Sequence, residues 1–170
     1  VRNDQYFQMW TYPKETNFEF CIKLMLEEMT KLTTTPLTAE EIDRTKDYVA
    51  NNFAFLMETP DRQLGMRLDE KWYKLPEFVD KFKHNINRVP RSELQTVALD
   101  NLHPQSVLIV AVVSNGEQAK QELLSLDTKL ELPSGSEEGE LKSINDEIKG
   151  LDLKLLPEDI VIVKASELFK

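Results

Sequence analysis

The stretch Val107-Leu108-Ile109-Val110-Ala111-Val112-Val113 limits the fold more than any other part of the chain, because six of its seven residues are Val, Leu or Ile. A segment apolar on both alternating faces leaves no side for water. It therefore reads as a buried strand, covered on both faces or central in its sheet. It is also the longest apolar run, and it falls far short of the ~18 residues that a membrane-spanning helix needs. No transmembrane segment is expected.

Two further segments read as strands. Gln5–Tyr12 carries Tyr6, Phe7, Trp10 and Tyr12 and stops at Pro13, and Ile160-Val161-Ile162-Val163 lies near the end. Between the first strand and the central run the period changes to that of a helix. Phe18, Ile22, Met25, Met29 and Leu32 recur at spacings of four and three, which predicts an amphipathic helix with that stripe on the core. Thr33-Thr34-Thr35-Pro36 ends it. Thr38-Ala39-Glu40-Glu41 is a capping box that opens a second helix, with Ile42, Val49, Phe53 and Leu56 on its buried side. Thr59-Pro60 breaks that helix. Leu64, Leu68 and Trp72 mark a third, Phe78, Phe82 and Ile86 a fourth after Leu75-Pro76, and Leu94, Val97 and Ala98 a short fifth after Val89-Pro90. Gln118–Leu126 reads as a sixth. Pro133–Gly139 reads as a solvated loop or linker.

Long helical excursions returning to a few strands predict an α+β fold, with helices packed on one face of a mainly antiparallel sheet. Residues 1–127 form the expected domain. Residues 128–170 are expected to be a loop and a C-terminal strand or tail on the same domain. The start, Val1-Arg2-Asn3-Asp4, is polar and lacks Met, so a signal peptide is not expected there and the chain is expected to be a piece of a longer protein.

Chemistry-bearing patterns are sparse. The two histidines, His84 and His103, are far apart in sequence, and neither His-Glu-x-x-His nor His-x-x-Glu-His occurs. A helical zinc site needs two imidazoles one turn apart, so no metal site is expected in this chain. Nucleophile-elbow and phosphate-loop patterns are missing as well. Cys21, the sole cysteine, lies in an apolar helical pattern and reads as a structural thiol. The same reasoning places Met25 and Met29 in the core. Adjacent carboxylates (Glu27-Glu28, Glu40-Glu41, Asp69-Glu70, Glu137-Glu138) point about 100° apart on a helix and read as solvated faces, not dyads. Asp61-Arg62 reads as a local ion pair or, alternatively, as a contact for a partner. The net charge of −9 repels phosphate backbones, so nucleic acid is not an expected partner. No catalytic residue is assigned, and no substrate-binding residue can be named.

Four blocks carry a resemblance. They are the aromatic segment Gln5–Trp10 with the helix Phe18–Met29; Pro36-Leu37-Thr38-Ala39-Glu40-Glu41-Ile42; Trp72-Tyr73-Lys74-Leu75-Pro76 leading to Ile86–Leu94; and Leu102-His103-Pro104-Gln105-Ser106 leading into Val107–Val113. Their order over Tyr6–Leu126 resembles the C-terminal part of a repeat unit in the insulinase/pitrilysin-like zinc metallopeptidases, which include the mitochondrial processing peptidase. The resemblance implies a partial, processing-peptidase-like half-domain from the non-catalytic half of a zinc metalloendopeptidase. It implies zinc in the parent's catalytic half and none here. The implied partners are a peptide or protein substrate, and the catalytic half in the same chain or in a paired subunit. Periplasm, cytoplasm and organelle are all compatible with such a parent. The family's substrate-binding Arg/Tyr segment would fall before Val1, and Arg2 does not fit it. The alternative is a scaffold or partner subunit from an inactive relative. An unrelated helical interaction module has no place for a strand at Val107–Val113.

Overall fold

The computed structural model describes residues 6–125, 127–132 and 140–168. Among these the regular structure is entirely helical: α1 (Phe18–Thr34), α2 (Ala39–Leu56), α3 (Pro60–Trp72), α4 (Phe78–Arg88), α5 (Arg91–Asn101), α6 (Gly116–Leu123) and α7 (Glu140–Lys149), with three single turns of 3-10 helix. This corrects the α+β expectation. No strand or sheet occurs among the described residues. Residues 6–12, 107–113 and 160–163, expected as strands, have no ladder partner there. The physical reason is that a strand needs a neighbouring chain segment for its N–H and C=O groups, and apolar composition alone does not supply one.

The chain divides into two compact units. The first comprises residues 1–31 and 103–170, and the second residues 32–102.

Among the described residues of the first unit, Phe18, Phe20, Ala119 and Ile148 are the buried apolar side chains. The expected α1 stripe is only partly right. Phe18 is buried, whereas Ile22, Met25, Met29 and Leu32 are half-buried. The buried turn is instead Phe18, Glu19, Phe20 and Lys23. Residues 127–132 run beside α1. The Asn17 side-chain amide donates to the Glu131 carbonyl (2.9 Å), and the Glu131 N–H donates to Asn17 Oδ1 (2.7 Å). Farther on, Lys120 Nζ of α6 donates to the carbonyls of Pro157 (2.6 Å) and Ile160 (2.8 Å). Gly116 permits the close approach of this tail, since a Cβ there would lie 2.8 Å from Ile162 Cγ2. Asn115-Gly116 is no hairpin: Asn115 caps α6, accepting the Gln118 N–H at 3.2 Å. Helix α7 was not expected. Its signal was Ile144 and Ile148 at i, i+4, and Ile148 is 1% exposed. The loop read at Pro133–Gly139 and the residues Leu126 and Arg2 lie outside the described residues.

In the second unit α2 begins as expected. Thr38 Oγ1 accepts the Glu41 N–H (3.2 Å), and the Glu41 carboxylate accepts the Thr38 N–H (2.7 Å). Thr38→Ala is expected to lower stability by about 1 kcal/mol, measured by urea unfolding. Pro60 sits in the first turn of α3, where a missing N–H costs nothing. Helices α2 and α4 pack through Phe53, Phe78 and Phe82, and Ile42 of α2 and Val79 of α4 are buried. Lys46 Nζ donates to the carbonyls of Asn87 (3.2 Å) and Val89 (2.8 Å), satisfying orphan acceptors at the end of α4.

Candidate functional site

Three arrangements could carry chemistry or recognition. The first is a buried polar knot in the first unit. Lys23 Nζ lies 3.2 Å from Glu19 Oε1 and donates to Thr128 Oγ1 (2.5 Å) and to the Lys149 carbonyl (3.1 Å). Thr128 in turn donates to Glu19 Oε1 (2.7 Å). Every strong group meets a partner of opposite character, so the knot is satisfied and structural. It ties α1, residues 127–132 and the end of α7 together. Sequence reading missed it, since Glu19 and Lys23 one turn apart look like a surface pair, and nothing local reveals that both are covered.

The second is a shallow cleft between α3 and α4 in the second unit. Arg67 grips Asp80 with two bonds (2.9 and 2.5 Å) and Glu70 with one (3.1 Å). These carboxylates hold the guanidinium above its ordinary range, and Arg67 in turn holds Asp80 below the usual carboxylate range. Lys71, Lys74, Leu75, Pro76 and Glu77 complete the lining. Lys74 and Glu77 both adopt left-handed backbone (φ 55° and 59°), which makes the abrupt α3–α4 turn. With Arg67 committed to two carboxylates, the cleft is an inter-helix clasp.

The third is the central apolar run in the first unit. Leu108, Val110 and Val112 are 90%, 80% and 98% exposed, whereas Val107 and Ile109 are 39% and 43% exposed. Exposure that alternates with period two marks an extended segment with one face partly covered and the other bare. Next to it, Ser114 donates both its N–H (2.8 Å) and its hydroxyl (2.5 Å) to Glu15 Oε1. These bonds hold the Glu15 carboxyl below its ordinary range. A depressed folded value means that the contact contributes stability above the carboxyl's unfolded range and loses it as pH falls through the lowered value. An acid titration of the Ser114 amide resonance is expected to show this step, and Glu15→Gln to abolish it.

The singled-out residues otherwise have ordinary surroundings. His84 is exposed on α4, with Arg88 Nη1 3.3 Å from its Nε2. His103 is exposed in the first unit, and its carbonyl accepts the Ser106 N–H at 2.8 Å. No three His, Cys, Asp or Glu side chains gather as a metal-holding group among the described residues. Cys21 is half-buried, and burial pushes its thiol up, away from the reactive thiolate. Arg62 donates to the Phe55 carbonyl (3.2 Å), so it spans the α2–α3 corner as well as neighbouring Asp61. The adjacent carboxylates are engaged singly: Glu28 with Lys31, Glu40 with Arg44, Glu41 with Thr38 and Glu70 with Arg67. Glu137-Glu138 lies outside the described residues. No described helix is long and apolar enough to cross a membrane.

No family model, curated protein or solved structure matches the chain.

Proposed function

We propose that the chain is a non-catalytic C-terminal piece of a zinc-dependent metalloendopeptidase of the insulinase/pitrilysin class. In this reading it contributes wall to a peptide-binding chamber and packs on the catalytic half. The order of the four sequence blocks supports the family. The observation that carries a packing role is the bare face of Leu108, Val110 and Val112. Three fully exposed aliphatic side chains on one extended segment forgo roughly 1.5–3 kcal/mol each in burial, which a contact with the rest of a larger protein recovers. The division of labour is physical: zinc in the other half polarises the scissile carbonyl, and this half holds the peptide.

The test uses zinc analysis and peptide cleavage. The full-length parent is expected to bind one zinc per catalytic half and to lose cleavage on chelation. The 170-residue chain alone is expected to do neither. Leu108→Asp with Val110→Asp in the parent is expected to lower cleavage at least about tenfold, because charges would be buried at the contact. Zinc bound by the isolated chain would sink the proposal. A parent without zinc would leave the scaffold subunit of an inactive relative. A second reading, a helical interaction module, is favoured by the all-helical structure of the described residues, which removes the argument that a strand raised against it. It predicts a parent with neither the metal nor a chamber.

A further inference from the structure

Helix α3 presents a bare apolar face within the second unit. Leu64, Leu68 and Trp72, at i, i+4 and i+8, are 61%, 58% and 80% exposed. Gly65 lies on the same side of the helix, and a Cβ placed there would meet nothing within 4 Å. An interior helical glycine is unfavourable relative to alanine, and nothing among the described residues requires its smallness. A flat spot beside two leucines and a tryptophan suits the close approach of another helix.

The charges on this face indicate which helix. Asp61 and Lys71 stand five residues to either side of Met66, each about 7.5 Å from it along the axis. A two-fold axis through Met66 sets Asp61 level with Lys71 of the second copy, and Leu64 level with that copy's Leu68. The face is complementary to itself when two helices run antiparallel, as a closed two-fold interface requires. We infer that the α3 face of Leu64, Gly65, Leu68 and Trp72 binds a second copy of this chain, with the two α3 helices antiparallel and Asp61 of each opposite Lys71 of the other. This goes beyond the proposed peptidase role and rests on a different surface.

Sedimentation equilibrium of the 170-residue chain tests it. Between about 5 and about 200 μM, where interfaces of modest affinity report, the mass is expected to rise from 19.7 kDa toward twice that value. Leu68→Glu is expected to return it to the monomer. Gly65→Glu is expected to do the same while keeping its helical circular dichroism, because the added side chain has open space in its own chain. Asp61→Lys and Lys71→Asp are each expected to weaken association about tenfold, and the two together to restore it to within about threefold. A monomer throughout that range would overturn the inference. So would a dimer that survives both glutamate substitutions, or charge reversals whose effects simply add. None of these outcomes depends on zinc or cleavage, so failure here and failure of the peptidase reading are distinguishable.

Discussion

Replacing Lys23 with methionine is expected to destabilise the first unit by about 3–5 kcal/mol, the largest loss of any single substitution considered. The methionine matches the length of the lysine stem, so packing changes little. What changes is charge. Glu19 keeps its carboxylate, 4% exposed, and loses the cation 3.2 Å away. The Thr128 hydroxyl and the Lys149 carbonyl lose a donor at the same time. Leaving a buried charge unmatched costs more than the intact pair contributes. The triple change Glu19→Leu, Lys23→Met and Thr128→Val is therefore expected to recover most of the loss, because it removes every stranded polar group together. Urea unfolding followed by circular dichroism at neutral pH measures both variants. A Lys23→Met loss below about 1 kcal/mol would mean that water reaches the knot.

Phe53→Ala is expected to cost the second unit about 3 kcal/mol. Phe53 stacks on Phe82, with ring centroids 3.8 Å apart and planes 12° from parallel. It meets Phe78 edge-on, at 6.4 Å and 88°. Phe78 and Phe82 themselves meet at 5.5 Å and 76°. Removing Phe53 opens a hole between α2 and α4 and discards two aromatic contacts, each worth roughly 0.5–1.5 kcal/mol beyond area burial. Phe53→Leu refills most of the volume without the ring geometry and is expected to lose about half as much. Hydrogen exchange separates this change from Lys23→Met. Protection of the α2 and α4 amides is expected to fall first for Phe53→Ala, and protection of the α1 amides for Lys23→Met.

Much of the helical layout was legible in the sequence, and for local reasons. The Thr38–Glu41 box, Pro60 and Pro90 beside helix starts, and four-residue aromatic spacing such as Phe78 to Phe82 act over a single turn. A chain carrying these residues forms α2 to α5 close to where they were expected. The adjacent carboxylates Glu40-Glu41 likewise proved to lie on a solvated face.

Other features depended on what lies across from each segment. Val107–Val113 has the composition of a covered strand, yet Leu108, Val110 and Val112 are bare and no described residue pairs with the backbone there as a ladder. Leu64, Leu68 and Trp72 have the spacing of a core stripe and face outward, while Glu19 and Lys23 look like surface charges and lie inside. A sequence by itself determines which conformations its neighbouring residues favour, because capping, proline geometry and side-chain spacing act within a few residues. Burial is decided by the tertiary structure, because removing a side chain from water takes atoms from distant parts of the chain. For Lys23 those atoms come from Thr128 and Lys149, more than a hundred residues away.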